Sequence, residues 1–276
     1  MVELGDMNVR HAVPFCFAAF LFLAGCYLFD AMAEYEADIR SASRGLKSAA
    51  TDRERALLYS KRGTGYSEKA RLSNARGTMN REEYERLFSL ALMDFDASIA
   101  LATAAPQAYL ERGTAYYYRA AYSADAADRA FVDKALADFS RAIEIDGGNG
   151  QALDMRGLTR LIQRDCAGAI VDFSLEMKVD ERGGRLRLAE TYCTLGGQDQ
   201  EKKDYTKAIS DYKKAIEMGP SRDGCDCDPY APLVWLYMQR KDYNKSWEML
   251  GKAKAYKKWI PPELQGELEK ASGKHS

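Results

Sequence analysis

The chain has 276 residues, 46% of them hydrophobic and 29% charged, so it can bury an extended core and is too apolar for a disordered segment. Lys and Arg number 40 against 41 Asp and Glu, and the formal charge of -1 gives no global field to hold nucleic acid or an anionic surface. Histidine is confined to His11 and His275, near the two ends, so no serine-histidine or cysteine-histidine relay is expected in the folded part.

Residues 12–29 form an apolar run behind Arg10 and His11, broken only by Pro14, which reads as an export signal or a single anchor. Glu3 and Asp6 stand where such a signal is basic, so Met7 is the better start. Leu23-Ala24-Gly25-Cys26 resembles the bacterial lipobox, in which the leader is cut before a cysteine whose thiol then carries diacylglycerol. That assigns residues 1–25 to a leader, Cys26 to lipid attachment, and residues 26–50 to a tether and an N-terminal helix over 34–47. Ala31-Met32-Ala33 offers an ordinary cleavage site instead, giving a soluble periplasmic protein, and an uncleaved run of 18 residues would serve as an anchor. All three place the folded part outside the cytoplasm, in the cell envelope. Tyr27 after Cys26 is compatible with the outer membrane.

Thr51 and Glu54 form a capping box that opens the next helix. Beyond it one phrase recurs four times: Ala91-Leu92-Met93-Asp94-Phe95, Ala135-Leu136-Ala137-Asp138-Phe139, Ala169-Ile170-Val171-Asp172-Phe173 and Ala208-Ile209-Ser210-Asp211-Tyr212, with a blurred fifth copy over 246–250. Ahead of the copies stands a small residue with a tyrosine three later: Gly63 and Tyr66, Gly113 and Tyr116, Ala189 and Tyr192, Val234 and Tyr237, with Arg160 following Gly157 instead. Three-residue spacing keeps both on one helix face, and the small residue lets a neighbouring aromatic approach. Because the Asp recurs once per unit in one register, it is expected to be structural, whereas an active site occurs once.

The pattern resembles the tetratricopeptide repeat family over residues 51–256. The resemblance implies an all-α, right-handed α-solenoid over 51–260, built of five helix hairpins at about 51–105, 106–150, 151–181, 182–226 and 227–258. An N-terminal helix precedes them, and residues 261–276 supply a capping helix begun by Pro261-Pro262. Twelve or so helices and no sheet are expected. From the small residue to the alanine the intervals are 28, 22, 12, 19 and 12, so excesses of 16, 10 and 7 residues are expected to project as helical extensions from one edge. One extension covers 81–92 and another 125–136, with Ser123 and Asp125 turning and capping the latter. Pro220 stands where the family often ends a second helix.

First helices line the concave face in this family, which projects Leu110, Thr114, Tyr117, Tyr118, Asp154, Leu158, Leu161, Ile162, Trp235 and Met238 into an apolar, aromatic groove for a helix or extended peptide. The same register makes several of them core. Positions where family members clamp acidic chaperone tails hold Ser60, Thr64, Gln107 and Glu111, so that ligand is not carried over.

Cys166, Cys193, Cys225 and Cys227 are disulfide candidates in an oxidising compartment, and the architecture places Cys166 near Cys193. Cys225-Asp226-Cys227 then closes on itself, stays reduced, or acts as a redox pair. No metal site and no cofactor are expected. Lys252, Lys254, Lys257 and Lys258 with Tyr256 and Trp259 read as a solvated helix face whose aromatics pack toward the terminal helix, the alternative being contact with phosphates or lipid headgroups. The whole reads as a non-enzymatic, lipid-anchored scaffold facing the periplasm that binds another envelope protein and no nucleic acid. The alternative is an envelope thiol-disulfide protein using Cys225 and Cys227.

Overall fold

The computed structural model describes residues 16–75, 80–122, 130–219 and 228–274, with side chains described from residue 31 onward except Ala75 and Tyr122. These residues form twelve helices and no strand: α1 (Cys16–Gly45), α2 (Asp52–Ala75), α3 (Arg81–Leu101), α4 (Pro106–Tyr122), α5 (Ala130–Ile145), α6 (Gly150–Ile162), α7 (Cys166–Glu176), α8 (Glu181–Glu201), α9 (Tyr205–Met218), α10 (Tyr230–Gln239), α11 (Tyr243–Ala255) and α12 (Pro262–Ser272). The chain divides into two units, Met1–Ala115 and Tyr116–Ser276.

In the first unit the helix predicted over 34–47 is the C-terminal part of α1, which lies along α2 through Lys69 to Glu36 at 2.7 Å and Lys61 to Asp38 at 2.9 Å. The predicted capping box is formed: the Thr51 hydroxyl accepts from the Glu54 N–H at 3.1 Å and the Glu54 carboxylate from the Thr51 N–H at 3.2 Å. α2 and α3 pair because Gly63 leaves room for buried Phe95; a Cβ there would stand 2.8 Å from the ring. Arg62 forks onto buried Asp94 with two bonds of 2.7 Å. Both helices run long, α2 reaching Ala75 and α3 starting at Arg81 on an Asn80 cap, so the first excess does extend this hairpin. Of the second, Ser123 and Asp125 lie outside the described residues, and α5 begins at Ala130.

In the second unit three hairpins share one turn. α6 stops at Ile162, Arg164 takes a left-handed φ of 61°, and Asp165, whose N–H returns to the Arg160 carbonyl at 2.9 Å, caps α7 through the Gly168 N–H. Lys203 (φ 62°) with Asp204, and Lys241 (φ 57°) with Asp242, repeat this between α8 and α9 and between α10 and α11. Phe139, Phe173 and Tyr212 are buried like Phe95 in the first unit. Asp172 is fully buried under Arg156 and Arg160 at 2.7 and 2.8 Å, so this Asp, like Asp94 in the first unit, is held in an arginine clamp. Asp211 is a local variant, paired with Lys214 at 3.0 Å. Leu268 of α12 completes a C-terminal cluster with Leu233, Leu236 and Leu250.

The turns correct one register. Gly157, Gly196 and Val234 each lie six residues ahead of the turn residues Gln163, Lys202 and Arg240, and the glycine facing the Tyr212 ring is Gly196, where a Cβ would meet it at 3.0 Å. Ala189 is not the partner of that aromatic. From Gly196 to Ala208 is the regular 12, so the third excess lies in the N-terminal part of α8 and does not project from the turn edge.

Candidate functional site

In the first unit the first helices α2 and α4 and the end of α3 enclose an open cleft of about 510 Å³, lined by Arg53, Leu57, Ser60, Leu101, Gln107 and Ala108 among others. Pro106, the first residue of α4, sets the start of the helix whose Gln107 and Ala108 line it. Inside it the Ser60 hydroxyl donates to the Glu111 carboxylate, whose other oxygen accepts from the Gln107 amide at 3.0 Å. Three of the four positions compared with the chaperone-tail clamp thus satisfy one another. Leu57 stands 64% exposed at the rim, an apolar side chain the fold does not use. The sequence signal for this cleft was the unpatterned Leu57 beside a run of small residues, Ala102 to Ala105, too short to leave a helical period.

The projected groove residues fall in both units. Leu110 and Thr114 belong to the first: Leu110 is buried, and the Thr114 hydroxyl donates to its carbonyl at 2.8 Å. In the second, Tyr117 and Tyr118 meet edge to face at 5.3 Å, and Asp154 accepts from Arg187 at 2.7 Å. Leu158 and Leu161 pack on the Ala169, Phe173 and Leu188 cluster, Ile162 is exposed, and Trp235 and Met238 pack on the C-terminal cluster, Trp235 edge-on to Tyr205 at 5.7 Å. Asp154, Leu158, Leu161, Trp235 and Met238 are thus engaged across helices at half-burial.

Beside Asp154 lies a group the sequence did not single out. Glu176 is 6% exposed and its Oε2 has no hydrogen-bond partner. It occupies the place three residues after the aromatic that Ser98, Ala142, Ala215 and Ala253 fill in the other hairpins. Gly183 makes room for it, since a Cβ there would stand 2.9 Å from its Oε1. Burial, then the charges of Asp154 and Asp180, push its carboxyl up to about 7, against the pull of Arg187.

The cysteines correct a pairing. Cys166 is a free, buried thiol and Cys193 is disulfide-bonded, so the expected bridge between them does not form. The end of α8 does come near Cys166, but the residue there is Lys202, whose charge opposes the rise that burial and Asp165 impose on the thiol. Cys193 sits eight residues short of that end, at Glu201. Cys225, Cys227 and Pro220 lie outside the described residues, as does the side chain of Cys26, whose backbone falls within α1. Among the described residues no group of three or more His, Cys, Asp and Glu gathers to hold a metal, and no helix is long and apolar enough to cross a membrane.

Helix hairpins in which a glycine of the first helix admits an aromatic of the second, stacked over successive repeats, define an all-α hairpin-repeat class. The particular likeness is to tetratricopeptide-repeat proteins. Over 108 residues the chain is 34% identical to tetratricopeptide repeat protein 14 of Mus musculus, a match covering 38% of this chain and 14% of the mouse protein's length. Similar solved structures include a thermophilic TPR protein of Thermus thermophilus (19% identity, 78% of this chain and 96% of that one, TM-score 0.44). BtubC from P. vanneervenii gives 15% identity, 90% and 94% coverage and a TM-score of 0.47. YrrB, described as a TPR protein with an unusual peptide-binding site, gives 17%, 70% and 84%, and 0.40. No protein-family model matches the chain. Together with the hairpin geometry, the mouse relative supports the tetratricopeptide-repeat fold family.

Proposed function

We propose that this chain is a non-enzymatic adaptor that holds an apolar segment of another protein against its first helices. The observation that carries the reading is the α2–α4 cleft, with Leu57 standing in water at its rim while Ser60 and Gln107 of its lining are both engaged by Glu111. A site of that kind rewards an apolar anchor, with Arg53 the charged side chain of its lining. Photo-crosslinking in cells from a probe at Thr103, an exposed residue of the cleft lining, tests it with Leu57 intact and again with Leu57→Asp: one partner captured in the first and lost from the second supports the reading. Equal capture by both sinks it.

The same proposal places the adaptor in the bacterial envelope, tethered through diacylglycerol on Cys26 and facing the periplasm, at the outer membrane. Its support is the Leu23-Ala24-Gly25-Cys26 sequence behind an apolar run. Wild-type chain is expected in the detergent phase and Cys26→Ala chain in the aqueous phase. Equal partitioning would remove the anchor and leave the adaptor role standing.

A further inference from the structure

The last turn of α11 carries Lys252 and Lys254 and the turn after it Lys257 and Lys258, with no acid from residue 249 until Glu263. Lys252 pairs with Glu248 at 2.6 Å, whereas among the described residues no ion pair engages Lys254 or Lys257. Lys257, just past the end of α11, takes a left-handed φ of 54°, and the Lys258 N–H returns to the Ala253 carbonyl at 2.9 Å, so the chain reverses sharply. Two side chains pin the reversal. Tyr256 stacks on buried Tyr230 with ring centres 5.9 Å apart, and Ile260 packs against the C-terminal cluster.

Between them Trp259 is 73% exposed, and Tyr256 keeps 47% of its surface in water. The expectation that the aromatics here pack toward α12 fails for Trp259. The other two tryptophans are half-buried and engaged, Trp235 by Tyr205 and Trp247 through a bond to Ser272 at 3.1 Å. A buried tryptophan covers roughly 150–250 Å², so a pinned turn that holds one in water leaves an unused apolar surface beside two unpaired cations.

We propose that this turn is a docking surface for an anionic lipid bilayer, with Trp259 entering the headgroup boundary and Lys254 and Lys257 meeting the headgroup charges. Tryptophan and lysine occur together at membrane interfaces, where the indole has an apolar body and a polar edge and the lysine stem lies along the boundary. Protein interfaces favour tryptophan but are depleted in lysine. Binding to a nucleic-acid backbone rests on neutralising many phosphates, and two disengaged cations are few for that.

The test follows the emission of Trp259 in the full chain, taken as the difference between wild type and Trp259→Phe, so that attachment through the N-terminal segment does not enter the signal. Vesicles of phosphatidylcholine mixed with phosphatidylglycerol are expected to shift this emission to the blue and to quench it when the acyl chains carry bromine. Phosphatidylcholine alone should leave it unchanged. Lys254→Gln and Lys257→Gln should each weaken the response roughly fivefold, and added salt should weaken it further. All three substitutions are at exposed positions and should leave helicity intact. The same response to neutral vesicles, to inorganic phosphate or to duplex DNA without lipid would overturn the proposal, as would lysine variants that bind like wild type.

Discussion

Replacing Glu176 by Gln removes the one titrating group that the α7–α8 seam holds buried without a partner for Oε2. Its carboxyl moves from a reference of 4.5 to about 7, a gap of some 2.5 units, which at 1.36 kcal/mol each is on the order of 3 kcal/mol. The sign follows from which state binds the proton. Below about 4.5 both states are protonated and Glu176 carries no penalty; as pH rises toward about 7 the unfolded chain releases the proton while the folded chain keeps it, and stability falls. Above about 7 the carboxylate ionises inside the fold and the loss is complete. Urea unfolding followed by circular dichroism should therefore show Glu176→Gln gaining on wild type across this window, by up to ~3 kcal/mol. Glu176→Ala, which installs the residue found at 142, 215 and 253, should flatten the same pH dependence while bearing a cavity penalty of its own. Stability curves of wild type and Glu176→Gln that stay parallel from acid to neutral pH would refute the reasoning.

Gly157→Ala would place a Cβ 2.7 Å from Cζ of fully buried Phe173 and should destabilise by about 1–3 kcal/mol, whereas Gly251→Ala, with open space around it, should stabilise by about 0.5–1 kcal/mol; thermal melts separate the two. Asp172→Ala strands two guanidiniums and is expected to destabilise by about 3 kcal/mol, because the partly wet arginines soften the penalty of a fully buried broken pair. Asp211→Ala should change stability by less than about 1 kcal/mol in the same urea titration, since Lys214 is half in water. Native protein should label slowly at Cys166, a buried thiol whose ionisation is pushed up, and rapidly in denaturant; fast native labelling there would contradict the packing of α7.

The repeated phrase made the hairpins readable because its Ala and aromatic positions must be apolar in every copy, and Phe95, Phe139, Phe173 and Tyr212 are all buried. The arginine clamp also left a trace, an Arg before the small residue at 62 and 156 where the Asp is deeply held, and none before Gly196 or Val234. Register in α8 was harder. Ala189 with Tyr192 mimics the small-aromatic pair, and a shift of seven residues turns an α-helix by only ~20° from its starting face, so periodicity cannot tell Ala189 from Gly196. The Lys202-Lys203-Asp204 turn, parallel to Gln163-Arg164-Asp165 and Arg240-Lys241-Asp242, distinguishes them. The misplaced bridge descends from the same slip, since it set Cys193 at the helix end that Lys202 occupies. The cleft at Leu57 and the exposure of Trp259 depend on which neighbours are missing, which no local pattern records.

A joint with one left-handed residue between a helix stop and the aspartate that starts the next helix has no slack. Adding a residue at Arg164, Lys203 or Lys241 would swing the following helix by about 100° and carry its aromatic off the glycine it faces. Length drift in the second unit is therefore barred from those joints and driven to helix beginnings, which is where α8 carries its extra turns. A reporter spliced into this protein should be rejected at the three joints.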